Sequence, residues 1–246
     1  MTAVLVIAGS DSSGGAGLTR DVATLERLGI GVLCAITAVT AQSEAQVVAV
    51  HPVPPEIVRA QITAALATGR VAAVKVGMLG TAAAVMAVAD ALAPRTAAPL
   101  VLDPVLAATA GGELLEPAGR EALRQVLLAQ VTLLTPNIAE AAALLGERVA
   151  RDEQELLRQG GALLALGPEA VLLKGGHGSG ALATDLLLRR GEAPLRLTAP
   201  RSNAVRRGTG CTLSSAIAAG LARGLDLTRS CEQAKQYVTN YIQHGA

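Results

Sequence analysis

Phenylalanine and tryptophan do not occur in this chain, and tyrosine occurs twice in 246 residues. A chain this long can bury a sizeable core, so alanine, valine and leucine must fill it. Cysteine is scarce too. Cys34, Cys211 and Cys231 are odd in number and far apart, which argues against a disulfide framework or a zinc site and for a reducing cytoplasm. His51, His177 and His244 form no ligand pair in sequence. No stretch of about 18 residues stays strongly hydrophobic without a charge or a turn residue, and the opening MTAVLVIAGSDSS lacks the basic segment of a signal peptide. A formal charge of +1 with scattered Lys and Arg gives no electrostatic footprint for nucleic acid or an anionic membrane. The expectation is a soluble cytoplasmic protein forming one domain over residues 1–246.

What is present is a set of short apolar runs: VLVIAG, VLCAITAVT, AAVKVGML, PLVLDPVL, VTLLTPN and AVLLKGG. Each has strand length and is apolar on both faces, as strands of a covered parallel sheet are. Helical spacing occupies 15–28, 55–68, 81–93, 117–128, 138–145 and 152–166. This alternation predicts right-handed βαβ crossovers and an open α/β sheet. DLLLRR and LRLTAP predict an antiparallel hairpin at the sheet edge, followed by helices near 211–223 and 228–243.

Polar residues recur where these strands end, the edge at which such sheets bind ligands. GSDSSGGAGLTRD (9–21) supplies glycines that let backbone N–H groups approach a ligand, but it fits neither the Walker nor the dinucleotide spacing. Asp21 then faces either the sheet edge or solvent. GTGC (208–211) offers several N–H donors at the positive end of a helix, the arrangement that phosphoryl transfer requires. Cys211 sits either where the same dipole lowers a thiol pKa, as a thiolate, base or nucleophile, or in an ordinary helix entry as a small buried residue, the reading that local sequence alone favours. Asn137 and Glu140 in TPNIAE are placed either to orient hydrated Mg²⁺ or to form a capping box. Lys174 in LLKGGH is a phosphate-binding charge or a surface lysine.

In this order, GSDSSGGAGLTRD, TAVTAQ, KVGML, VLDPV, LLTPNIAEAAALL, LLKGGH and GTGCTLSSAIAA resemble the bacterial hydroxymethylpyrimidine/phosphomethylpyrimidine kinases of the ribokinase-like superfamily, from about Val4 to the last helix. The resemblance implies a ribokinase-like three-layer α/β/α sandwich with a mostly parallel central sheet, use of ATP and Mg²⁺, thiamine biosynthesis, and a homodimer. It implies pyrimidine binding by Asp21, Gln42, Met78 and Gly9, and nucleotide binding by Lys174, Asn137 and Thr209. Asp103 and Glu140 match the metal positions. Gly208, Gly210 and Cys211 match the anion hole and the catalytic position, with Cys211 abstracting the hydroxyl proton where most relatives in the superfamily use aspartate.

The chain departs from this pattern at several points. Thr109 and Ala110 stand where the family carries lysine and serine in a flap over the substrate phosphate. Ala204, Val205, Arg206 and Arg207 replace a Thr-rich segment ending in histidine, so that Arg207 either substitutes a phosphate-binding cation or marks an altered loop. Thr19 and Arg20 replace a Gln-Ala pair. These differences keep two alternatives in view, a vitamin B6 kinase of the same fold and a weakly active binding protein.

Overall fold

The computed structural model describes residues 2–93, 97–108, 111–175, 181–202, 204 and 206–245. Thr109, Ala110, His177 and Val205, singled out above, lie outside the described residues. The strands are β1 (Ala3–Asp11), β2 (Gly31–Gln42), β3 (Val47–Pro52), β4 (Val71–Val76), β5 (Leu100–Leu102), β6 (Leu133–Leu134), β7 (Ala170–Leu173), β8 (Leu182–Arg189) and β9 (Leu195–Pro200). They form one sheet in the order β3-β2-β1-β4-β5-β6-β7-β8-β9. From β2 to β7 all neighbours are parallel. Antiparallel pairs close both edges, β3 on β2 and the β8–β9 hairpin on β7.

Helices cover both faces, which is why the central strands are apolar on both sides. One face carries α2 (Pro55–Ala67), α3 (Ala82–Leu92), α4 (Pro117–Ala122), α5 (Ile138–Leu145) and α6 (Glu153–Ala165), packed on Leu5, Ile7, Val74, Val76 and Leu102. The other carries α1 (Gly17–Arg27), α7 (Thr209–Ala222) and α8 (Leu227–His244), packed on Val4, Val6, Ala73, Val101 and Leu133. The alternation along β4 sends Val74 and Val76 to the first face and Ala73 and Lys75 to the second. Close approach stands in for missing aromatic bulk: a Cβ at Gly220 in α7 would lie 2.7 Å from the Ser230 hydroxyl oxygen on α8.

Two expectations change. The helix expected over 117–128 ends at Ala122 and continues as a π turn over 123–127 and a 3₁₀ turn over 128–130. The wider turn lets Leu123, Leu127 and Leu128 all bury. Strand β3 is an addition to the apolar runs; its residues are mostly exposed, so it lacks the apolar signature of a covered strand.

Candidate active site

The chain runs from β1 to β2 on one side and from β4 to β5 on the other, so the sheet has its switch point at β1/β4, where α/β sheets open a crevice. Four turns meet there. In the first, Asp11 closes the glycine-rich loop: its Oδ1 accepts from the Ser13 N–H (2.9 Å) and hydroxyl (2.7 Å), and its Oδ2 from the Ala16 N–H (2.9 Å). Arg207 completes this set, with Nη2 donating to Asp11 Oδ2 at 3.1 Å and Nη1 to Ser13 Oγ at 2.7 Å. Arg207 is therefore a tie between two loops rather than a free phosphate-binding cation. The Tyr241 hydroxyl donates to its carbonyl at 2.9 Å, and the Arg20 guanidinium lies 5.0 Å from the Tyr241 ring centre. The divergent Arg20 and Arg207 thus belong to one contact network that joins α1, the loop before α7, and α8.

The second turn starts α7. Gly208 has φ 72° and ψ 17°, the left-handed region that glycine adopts without a Cβ penalty. A Cβ there would run into the Gly15 carbonyl oxygen. The N–H groups of Thr209, Gly210 and Cys211 lie in the first turn and have no intrahelical acceptor. Gly210 sits over an ion pair: its Cβ position is 3.2 Å from Asp103 Oδ2 and 3.3 Å from Lys174 Nζ.

That pair joins the third and fourth turns, after β5 and β7. Lys174 Nζ donates to Asp103 Oδ1 at 2.7 Å and lies 3.7 Å from Glu140 Oε2. Asn137 and Glu140 form the capping box of α5, with Asn137 N–H to Glu140 Oε2 at 2.7 Å and Glu140 N–H to Asn137 Oδ1 at 2.8 Å. Capping and clustering are both realised, because Glu140 serves the helix end and Lys174 together. Burial raises the pKa of Glu140, Lys174 opposes that, and Asp103 adds to it. Lys174 is held charged: burial opposes the charge, but Asp103 and Glu140 together push its pKa above the usual lysine range. The lysine is a built part of the site and not a surface residue.

On the β1–β2–β4 side, Gly9 admits Met78, whose Sδ would lie 2.8 Å from a Cβ at position 9. Met78 packs with Ala38, Leu114, Val47, Val105 and Ala108 as an apolar wall. Gln42 ends β2, where its N–H donates to Ser12 Oγ at 2.8 Å and its Oε1 lies 3.2 Å from Thr40 Oγ1. The expected site residues thus gather at one sheet edge in two groups, with the α7 turn packed on the second.

Two expectations are corrected. Asp21 was expected to touch the pyrimidine, but it has no solvent exposure. Its Oδ2 accepts from Lys75 Nζ at 2.7 Å and its Oδ1 from the Ser215 hydroxyl at 2.8 Å, so both oxygens are engaged by protein groups. Cys211 was expected to carry a lowered pKa. It keeps partial exposure, yet burial pushes its thiol up to about 12, opposed by the nearby Lys75 and by the Gly17 N–H that donates to its sulfur. Burial at this helix end outweighs the pull of Lys75 and of the Gly17 N–H on the thiol. Lys75 was missed altogether. Its signal was a lone lysine inside the otherwise apolar AAVKVGML, since a buried charge needs a partner. Lys235 and Asp185 were missed likewise: they pair at 2.8 Å, and Asp185 accepts from the Gly175 N–H at 2.9 Å, bracing the turn that carries Lys174.

Comparison with known proteins gives a consistent result. A family model described as phosphomethylpyrimidine kinase matches residues 11–246. The chain is 46% identical over 240 residues to a hydroxymethylpyrimidine/phosphomethylpyrimidine kinase of Rhizobium meliloti (strain 1021), covering 97% of this chain and 90% of that one. It is 43% identical over 239 residues to the Escherichia coli (strain K12) enzyme of the same name, covering 97% and 90%. Among solved structures it is similar to the phosphomethylpyrimidine kinase of Clostridium difficile 630, with TM-score 0.85, 35% identity, and 99% and 100% of the two chains covered. It is also similar to the pyridoxal kinase of Staphylococcus aureus in complex with AMP-PCP and pyridoxal, with TM-score 0.89, 29% identity, and 99% and 88% covered.

Proposed function

Because the chain belongs to the phosphomethylpyrimidine kinase family and is a phosphotransferase, we propose that it transfers the γ-phosphoryl group of ATP to the hydroxymethyl oxygen of 4-amino-5-hydroxymethyl-2-methylpyrimidine, and then to the resulting monophosphate. The observation that carries this reading is the Asp103–Lys174 pair lying within 3.3 Å of the Cβ position of Gly210. It sets free N–H donors and a held ammonium around one point, where charge on a transferred phosphoryl group is stabilised.

In this reading the N–H groups of Thr209, Gly210 and Cys211 receive the phosphoryl oxygens, and Lys174 adds a positive charge fixed by Asp103. Asn137, tied into the α5 cap, holds the nucleotide phosphates beside Lys174. The carboxylates of Asp103 and Glu140 are hard oxygen donors suited to Mg²⁺ shared with substrate phosphates. When bound, Mg²⁺ supplies charge neutralisation at the phosphates. Gly9, Met78 and Gln42 line the pyrimidine side, an apolar wall beside an amide that can read ring nitrogens and the amino group.

Cys211 in its thiolate form accepts the hydroxymethyl proton, becoming a thiol as the new P–O bond forms. Since burial holds the thiol near 12, the thiolate is a minor species that grows about tenfold per pH unit through neutrality. Cys211→Ala is expected to lose about 10²–10⁴ in kcat, and kcat/KM of the wild type to rise between about pH 6 and 9 while the variant stays flat. A variant with wild-type turnover and an unchanged pH profile would remove Cys211 from proton transfer.

ADP release with Mg·ATP on hydroxymethylpyrimidine, its monophosphate and pyridoxal tests the function. Turnover on both pyrimidines is the expected result, and pyridoxal as the best substrate would overturn it. The sequence relatives at 43–46% identity favour the pyrimidines over the vitamin B6 reading. The three free cysteines favour a cytoplasmic protein, and among the described residues no helix is long and apolar enough to cross a membrane. The exposed valines Val39, Val48 and Val50 on the β2–β3 ribbon favour a homodimer, which sedimentation of the whole protein tests.

A further inference from the structure

Beneath the start of α7 lies a second ion pair for which direct substrate contact is closed off. Lys75 on β4 and Asp21 on α1 both have side chains with no solvent exposure and meet at 2.7 Å. The lysine headgroup fills the space that a side chain at residue 77 would take: its Nζ is 2.8 Å from the Cβ position of Gly77. Asp21 also binds α7, through the Ser215 hydroxyl at 2.8 Å. Ser215 follows Cys211 by four residues, so the two side chains share one face of α7, one turn apart. Burying two charges costs several kcal/mol per ion before pairing, and a pair of apolar residues would fill this layer of valines and alanines at lower cost. The place of the pair is informative, since it occurs beneath the helix turn that carries the thiol.

We propose that Lys75 is a positioning residue for phosphoryl transfer, acting on Cys211 through Asp21 and Ser215. Asp21 holds the lysine and ties it to the α7 face, and the ammonium presents a fixed positive charge toward the sulfur. The charged groups facing Cys211 are Lys75 on β4, Asp21 on α1, Asp103 after β5 and Lys174 after β7. Lys75 is the largest influence opposing the effect of burial on the thiol. Burial works against the charge of Lys75 itself, but Asp21, Cys211 and Asp103 together outweigh it and push the lysine above its usual range.

The inference rests on the reading of Cys211 as proton acceptor, and the experiment separates the two. The double variant K75M/D21N removes both charges while keeping similar volume, so no unpaired charge is left buried. Its Cys211 alkylation by iodoacetamide, followed against pH by peptide mass spectrometry, is expected to shift to higher pH, because the lysine's lowering of the thiol exceeds the raising by Asp21, with the rate at pH 9 about threefold lower. Its kcat is expected to fall by a similar factor, with KM for ATP unchanged. A folded double variant with wild-type alkylation and kcat overturns the proposal. If C211A itself turns over at the wild-type rate, the proton-acceptor reading falls first, whatever the double variant does. Should the double variant fail to fold, Ser215→Ala, which cuts only the tie to α7, is expected to shift alkylation and kcat in the same direction by a smaller factor; no change in either overturns the proposal.

Discussion

Gly208→Ala is expected to lower kcat by about 10²–10³, the loss typical of removing a donor from an anion hole. Position 208 has φ 72°, where a side chain costs roughly 1–2 kcal/mol. It also has no room: a Cβ would meet the Gly15 carbonyl oxygen, with Arg20 Cγ 3.0 Å away. Backbone on one side and a stacked arginine on the other cannot both give way, so the turn must shift and its N–H groups turn from the phosphoryl site. Gly146→Ala is the control. Its φ is 68°, but nothing lies within 4 Å of its Cβ position. It should lose about 1 kcal/mol of stability with kcat unchanged. Steady-state kinetics and urea unfolding of the two variants decide the matter; equal kcat values would mean that the Gly208 turn does not set the donor geometry.

Asp21→Ala is expected to destabilise the fold by about 3–5 kcal/mol, the cost of leaving one member of a buried pair uncompensated. Lys75 has no exposure, and among its described hydrogen bonds Asp21 is the acceptor, so the variant must bury a bare ammonium or deprotonate it. The Ser215 hydroxyl loses its acceptor too. Equilibrium unfolding in urea measures the loss, with Lys75→Met expected to match it and the double replacement K75M/D21N to recover most of it. A loss under about 1 kcal/mol would mean that the pair is not ionised in the folded protein. In the folded fraction of the variant, KM for the pyrimidine should be unaltered, because Asp21 reaches no surface a substrate can touch.

Much of this architecture was legible in the chain. VLVIAG, AAVKVGML and AVLLKGG announce covered strands because a strand packed on both faces admits few polar residues, and their order with the intervening helical spacing implies the parallel sheet. Strand β3 escaped that logic, since VVAVHP lies exposed at an edge and carries no both-face pattern. The second group of site residues was legible as well. Asp103, Asn137, Glu140 and Lys174 each follow a strand, and their convergence is a consequence of parallel strands ending at one edge.

Side-chain partners across the sheet were another matter. Asp21 and Lys75 are 54 residues apart, and whether a helix acid faces water or the protein depends on the rotation of α1 against β4, which local spacing does not encode. Arg207 and Asp11, separated by 196 residues, show the same gap: a basic residue in a loop gives no sign of which carboxylate holds it. The chain by itself determined the sheet, the order of its turns and the residue types at the candidate site, because these follow from periodicity and local backbone chemistry. Only the tertiary structure decided that Asp21 pairs with Lys75 beneath α7, and that burial raises rather than lowers the Cys211 thiol, because burial and charge pairing belong to groups brought together by folding.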